Sequence, residues 1–240
     1  MSCPEGVVTF LGLTNNLFGC ILEGRNLEIV HHKRKGGSME KETIGMISGL
    51  IVTLSAIPYG FRVYQRKVTP NLVSWGVWSL LGLAILLTFR SSGATSNVWP
   101  ALFGFTNPLA IFLIAYKRGE RKMPNTLEVV CAVTGILAII LWWFVRESAE
   151  FSAYALYVAI LADGFAGIPT VVFIWRTPDG DRPLMWLLFS IGYGISFFAI
   201  ENHNLANYVL PTWMTGMSAL ITLPMIVYRL RKKIPLSEWV

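Results

Sequence analysis

Asp163 is the only acidic residue well inside an apolar run of this chain, six residues before Pro169 in the stretch "ILADGFAGIPT". An ionised carboxylate at the centre of a bilayer is expensive, so such a group must face a polar path, pair with a partner or stay protonated. That chemistry suits proton coupling, or capture of a substrate hydroxyl or amine. The competing reading is a protonated Asp that hydrogen-bonds a neighbouring helix and only holds a bundle together. Asn107 directly precedes Pro108, which frees backbone polar groups beside an amide that both donates and accepts. The pair suits a polyol or amide substrate, or an interhelical hydrogen bond of about 1 kcal/mol. Trp78, with Trp75 and Trp186, could stack on a substrate ring or anchor helix ends at a lipid interface; Trp142 and Trp143 read as anchors. Pro58 and Pro169 each interrupt a helical hydrogen-bond ladder and are candidates for a hinge or a static kink. Gly164, Gly167, Gly192 and Gly194 read as close helix packing.

Other chemistry is poorly represented. There is no HExxH, no Ser/His/Asp arrangement and no phosphate-binding glycine loop in the chain, so an enzyme is disfavoured. The three cysteines, Cys3, Cys20 and Cys131, have no CxxC spacing, which predicts neither a metal site nor a disulfide framework. No cofactor is expected. Glu201 and His203, two residues apart at a helix end, read as a solvated pair or as the rim of a pH-sensitive gate. The net charge of +6 resides in short connections rather than in a stripe interleaved with aromatics, so nucleic acid is not an expected partner.

The elements that must position these residues are membrane helices. A hydrophobic content of 54% with 14% charged residues and a mean hydropathy of +0.54 are far from soluble averages. Apolar runs long enough to cross about 30 Å of hydrocarbon fall at roughly 44 to 62, 72 to 89, 97 to 116, 127 to 145, 152 to 175, 184 to 200 and 206 to 228. The fold class expected is therefore an all-α polytopic membrane protein with seven transmembrane helices. Arg62, Arg66 and Lys67, then Lys117, Arg118, Arg121 and Lys122, then Arg176 and Arg182, then Arg229, Arg231, Lys232 and Lys233 fall on one side, against Arg90 and Arg146 on the other. By the positive-inside rule the N-terminus of the body is outside and the C-terminus cytoplasmic. The seventh run carries no mid-span Lys, which argues against a retinal Schiff base.

Residues 1–38 stand apart as an N-terminal extension, because Arg25, Lys33, Arg34 and Lys35 would lie outside the membrane. The run from Val7 to Leu22 is a poor span and a poor signal peptide. One reading takes "KGGS" before Met39 as a translated ribosome-binding site, with Met39 as the start in a prokaryote and an inner-membrane location; another takes the extension as a disordered or interfacial tail.

Sliding the chain on itself by 111 residues pairs Pro58 with Pro169, Trp75 with Trp186, Ser79 with Ser190, Pro100 with Pro211, and Arg118 with Arg229. A three-helix unit thus recurs, at 39–122 and 148–233, with a linker helix at 123–147 and a tail at 234–240. The linker makes the two units parallel, which predicts a substrate path between them.

The segment "IPYGFRVYQRKVTPNLVSWGVWSLLG" and its mate "AGIPTVVFIWRTPDGDRPLMWLLFSIG" resemble the PQ-loop segments of the SWEET and SemiSWEET transporter superfamily. Pro58, Arg66, Lys67 and Thr69 supply the pattern, while Tyr59 and Thr170 stand where the family's Gln would follow Pro58 and Pro169. The resemblance implies a 3+1+3 layout and transport of a small polar solute, sugar-like or other, facilitated or proton-linked. It also implies that Asn107 and Trp78 face the solute; with Asp163, and with Ser218 as the repeat mate of Asn107, they make the expected path, and the repeated Pro58 and Pro169 are its expected hinges. One chain carries both bundles, so a monomer could suffice. The PQ-loop superfamily also resembles KDEL receptors, which keeps a non-transporting receptor or scaffold as the alternative.

Overall fold

The computed structural model describes residues 36–68, 70–119 and 123–239, with side chains from residue 40 onward. The expectations for the chain up to residue 35, and for Thr69, Arg121 and Lys122, lie outside the described residues. Within them the fold is all-helical: α1 (Gly36–Tyr64), α2 (Leu72–Ser91), α3 (Trp99–Lys117), α4 (Thr126–Val145), α5 (Ala149–Arg176), α6 (Pro183–Ser196) and α7 (Leu205–Lys232), with short 3-10 turns at Ser96–Val98, Phe197–Ala199 and Leu236–Glu238. Six of these helices are long and apolar enough to cross a membrane; the segment Pro183–Ala199 is apolar but shorter. The chain is a helical membrane protein by this measure. The first helix begins at Gly36, eight residues before the expected span, because the polar stretch "GGSMEKET" continues the helix beyond its apolar part.

Local sequence sets the boundaries. Asn125 and Glu128 close a capping box at the start of α4, and Ser148 and Asn204 accept backbone N–H bonds at the starts of α5 and α7. Each satisfies donors that the first helical turn leaves without a partner. Pro183 sits in the first turn of α6, where a missing N–H costs nothing. Pro58 and Pro169 lie inside α1 and α5, as expected, and both helices continue through them. Gly93 ends the α2 segment at φ 103°, a backbone conformation that favours glycine.

Successive helices run antiparallel, so the connections gather at two ends. One, the basic end, holds the α1–α2, α3–α4 and α5–α6 connections and the C-terminus; the other, the polar end, holds the α2–α3, α4–α5 and α6–α7 connections. α3 packs against both α1 and α2, and α7 against both α5 and α6; α1 packs on α6, α2 on α5, and α4 on both α2 and α5. The outward face of α4 exposes Val130, Val133, Leu137 and Phe144, the apolar surface a helix turns to lipid.

The core is not uniform along the bundle. Toward the polar end a single buried cluster joins Val52, Ile85, Phe89, Leu156, Tyr193 and Leu210. Toward the basic end it divides: Val63, Trp75, Ile111 and Ala115 form one cluster, and Ile174, Ile221 and Met225 another.

Two glycines mark where α1 touches its neighbours most closely. A Cβ on Gly45 would stand 1.8 Å from the Ser96 carbonyl oxygen, and one on Gly192 would stand 2.5 Å from a Val52 methyl and 3.0 Å from the Ser48 carbonyl oxygen. Backbone cannot yield as a side chain can, so Gly45→Ala should cost about 2 kcal/mol or more. A thermal denaturation series in detergent, with Gly216→Ala as a control at a helical glycine with open space around it, checks this; an unchanged midpoint for Gly45→Ala would contradict the packing.

Candidate functional site

The middle of the bundle holds a cavity of about 110 Å³ whose lining comes from α1, α2, α3, α5, α6 and α7. Asp163, Asn107, Ser218 and Trp78 all line it. Four residues chosen from four different helices therefore meet in one space. The two candidate hinge prolines do not: Pro169 lines a second pocket of about 190 Å³ between α2, α4 and α5, and Pro58 lies in α1 outside both. Trp78 stands between the pockets, lining each.

Asp163 is thirteen residues from the basic end of α5, about 20 Å at the helical rise of 1.5 Å per residue. One carboxylate oxygen accepts from Trp213 Nε1 at 3.1 Å. The other side of this contact is tight, for a Cβ on Gly164 would meet the Trp213 ring at 2.7 Å; the glycine lets α7 bring its indole alongside the carboxylate. Asn107 donates from Nδ2 to the Val52 carbonyl at 2.8 Å, which also accepts from Ser55 Oγ at 2.6 Å. Tyr193 donates across the cavity to the Pro100 carbonyl at 3.0 Å. Among the lining residues there is no Lys, Arg or His.

Aromatic rings wall the cavity on its basic-end side. Trp75 and Trp78 meet at 5.4 Å with planes 88° apart, and Trp78 and Trp186 at 6.2 Å with planes 80° apart. These are favourable edge-to-face arrangements. Trp78 lies six residues into α2, about 9 Å from that helix's start, so the rings occupy the half of the bundle between the basic end and Asp163. Trp186 Nε1 donates to Asp181 at 3.1 Å, outside the cavity.

A hydrogen-bonded seam ties the polar end. Ser96 Oγ donates to Glu201 at 2.6 Å, Asn97 Nδ2 to Asn207 Oδ1 at 3.2 Å, Asn202 Nδ2 to the Gly93 carbonyl at 2.7 Å, and Asn204 Nδ2 to the Ser92 carbonyl at 2.8 Å. Below it, Lys41 Nζ reaches the Ile200 carbonyl at 2.6 Å and Ser48 Oγ the Gly192 carbonyl at 2.6 Å. Glu201 and His203 are thus not a pair: Glu201 joins the seam, whereas His203 Nδ1 bonds the Tyr208 hydroxyl.

Comparison of this chain with family models, with curated proteins and with solved structures found no match. Its chemistry is therefore read from its own residues.

Several participants were not anticipated from sequence. Glu128 is buried at the foot of the second pocket, accepting from Asn71 Nδ2 and Ser74 Oγ, both at 2.8 Å, and from the Asn125 backbone at 2.8 Å. The capping pattern "NTLE" was the available signal. Trp142, read as a lipid anchor, instead turns inward and donates to Ser91 Oγ at 2.8 Å, while its neighbour Trp143 is exposed with Arg146 over its ring at 3.8 Å. Nothing in the sequence separates the two tryptophans, since neighbouring residues on a helix face about 100° apart and only packing decides which turns inward.

Proposed function

We propose that this chain is a membrane transporter for a small polar solute, sugar-like or other, working by alternating access between two three-helix units. The observation that carries this reading is the central cavity, to which both triplets contribute and at which Asp163, Asn107, Ser218 and Trp78 meet. The helix packing supports the two units: exchanging α1, α2 and α3 for α5, α6 and α7 turns α1–α3 into α5–α7, α2–α3 into α6–α7, and α1–α6 into α5–α2, every one of which is a packed pair. A linker helix α4 between the triplets makes the layout 3+1+3, as the resemblance to SWEET and PQ-loop transporters implies. The proposed repeats keep the same orientation and place the solute path on the axis between them.

In this reading the basic end is cytoplasmic, the body has its N-terminus outside, and the membrane is a prokaryotic inner membrane. The seam at the polar end favours a state closed to the outside. Alternation breaks the seam and repacks the basic end around the Trp78–Trp186 contact, with Pro58 and Pro169 as the hinges.

Reconstituted protein should take up at least one member of a panel of sugars, polyols, amino acids and organic amines, with saturation that protein-free liposomes do not show. A proton-linked mechanism predicts stimulation by a pH gradient that is lost in Asp163→Asn. The second reading, a non-transporting PQ-loop-type receptor or scaffold, draws support from the seam itself, which closes one end of the cavity. Saturable binding without flux for every solute bound would overturn transport in its favour.

A further inference from the structure

We infer that the ligand of the central cavity is a small organic cation, an amine or quaternary ammonium, rather than a sugar; this rests on the transport reading only in taking that cavity as the solute site. The cavity holds one carboxylate and no basic side chain among its lining residues. Among the described residues the carboxylate accepts one hydrogen bond, from the Trp213 indole at 3.1 Å, whereas a carboxylate offers about four lone-pair sites. A cation is the complement it lacks.

Apart from Asp163 and the Ser218 hydroxyl, much of the polar lining is already committed to the protein itself. The Ser55 hydroxyl, the Asn107 amide and the Tyr193 hydroxyl each donate to a backbone carbonyl of the protein itself. Burying a polyhydroxylated ring here would leave several of its hydroxyls without partners, each a desolvation loss. Trp75, Trp78 and Trp186 instead line it with three indole rings, neighbours meeting at near right angles. Such rings attract ammonium groups through their quadrupoles, most strongly where water is excluded. An alkylammonium needs no hydrogen bonds beyond those few the lining offers, and its methyl groups match the apolar walls.

The test compares choline with 3,3-dimethylbutan-1-ol, a neutral isostere in which carbon replaces the ammonium nitrogen, and with glucose. Binding to the purified full chain in lipid nanodiscs is measured by calorimetry, and flux in proteoliposomes separately. Choline should bind about tenfold or more tighter than the isostere. Asp163→Asn and Trp78→Leu should each erase most of that preference, and Trp78→Phe should keep part of it. Because the decisive comparison is made on the unaltered protein, a variant that fails to fold does not blur the outcome. Equal affinity for choline and its isostere, no binding of choline, or titration of a proton at the site with no ligand preference would each overturn the inference. Choline binding without flux would uphold it while sinking transport; glucose flux without choline binding would do the reverse.

Discussion

A reducible thiol cross-link between Ser96→Cys and Glu201→Cys should abolish solute uptake, and reductant should restore it. The two native side chains already touch, with Ser96 Oγ 2.6 Å from the Glu201 carboxylate, so a short cross-linker reaches without moving the backbone far. Their contact belongs to the seam that joins the α2–α3 connection to the α6–α7 connection. Individual hydrogen bonds of this kind contribute only about 1 to 3 kcal/mol net, so thermal motion can part them in the course of a transport cycle. A covalent tether cannot part. Each variant with only one of the two substitutions, treated with the same reagent, serves as control. Full uptake in the cross-linked protein would mean that the polar end does not open during transport, and the alternating-access reading would fall.

Arg229→Met should lower the thermal midpoint by roughly 5 to 15 °C, the shift that a loss of about 2 to 4 kcal/mol produces in a chain of this size. Arg229 is 1% exposed, and its guanidinium donates to the Pro178 carbonyl at 3.0 Å and the Asp181 carbonyl at 2.7 Å. It thus fixes the α5–α6 connection from the last turn of α7. Methionine fills similar volume but leaves both carbonyls without that partner in a buried place. The counterpart at an offset of 111 residues, Arg118, lies over the Tyr64 ring at 4.2 Å and is only half-buried. Arg118→Met should therefore move the midpoint by a few degrees at most. Equal shifts for the two variants would show that the burial of Arg229 carries no special weight.

These two arginines show how far the sequence could be read. All seven helices lie over apolar runs and six of them reach spanning length, the sixth in order being shorter; in a bilayer every backbone polar group must be satisfied within the segment, and hydropathy records that requirement directly. Boundaries are set by Pro183 at a helix start and by capping residues, which hydropathy alone does not register. The gathering of Asp163, Asn107, Ser218 and Trp78 at one cavity was approachable because a lone intramembrane acid and a repeated pattern both point inward. The charge of Arg229, by contrast, was legible only as a vote on orientation. Its burial depends on an α5–α6 loop that folds back over it, a relation between residues about fifty positions apart.

The seam was hidden for the same reason. Ser96, Asn97, Asn202, Asn204 and Glu201 are polar residues in short connections, where solvation is the ordinary reading. Their partners lie more than one hundred positions away, and no periodicity announces pairings of that range. Trp142 fell to a related difficulty, since an indole at a helix end can turn either to lipid or to a neighbouring Ser91.

Asp163 has one further consequence. At the matching place in α1, 111 residues earlier, stands Val52, fully buried. A cavity between two identical halves would accept a ligand equally well in either of two poses related by half a turn, and would gain about 0.4 kcal/mol from that freedom, the value of RT ln 2. A carboxylate on one side with no counterpart on the other removes the degeneracy. The site proposed between the two triplets therefore has a left and a right, and it can hold a ligand in a single orientation.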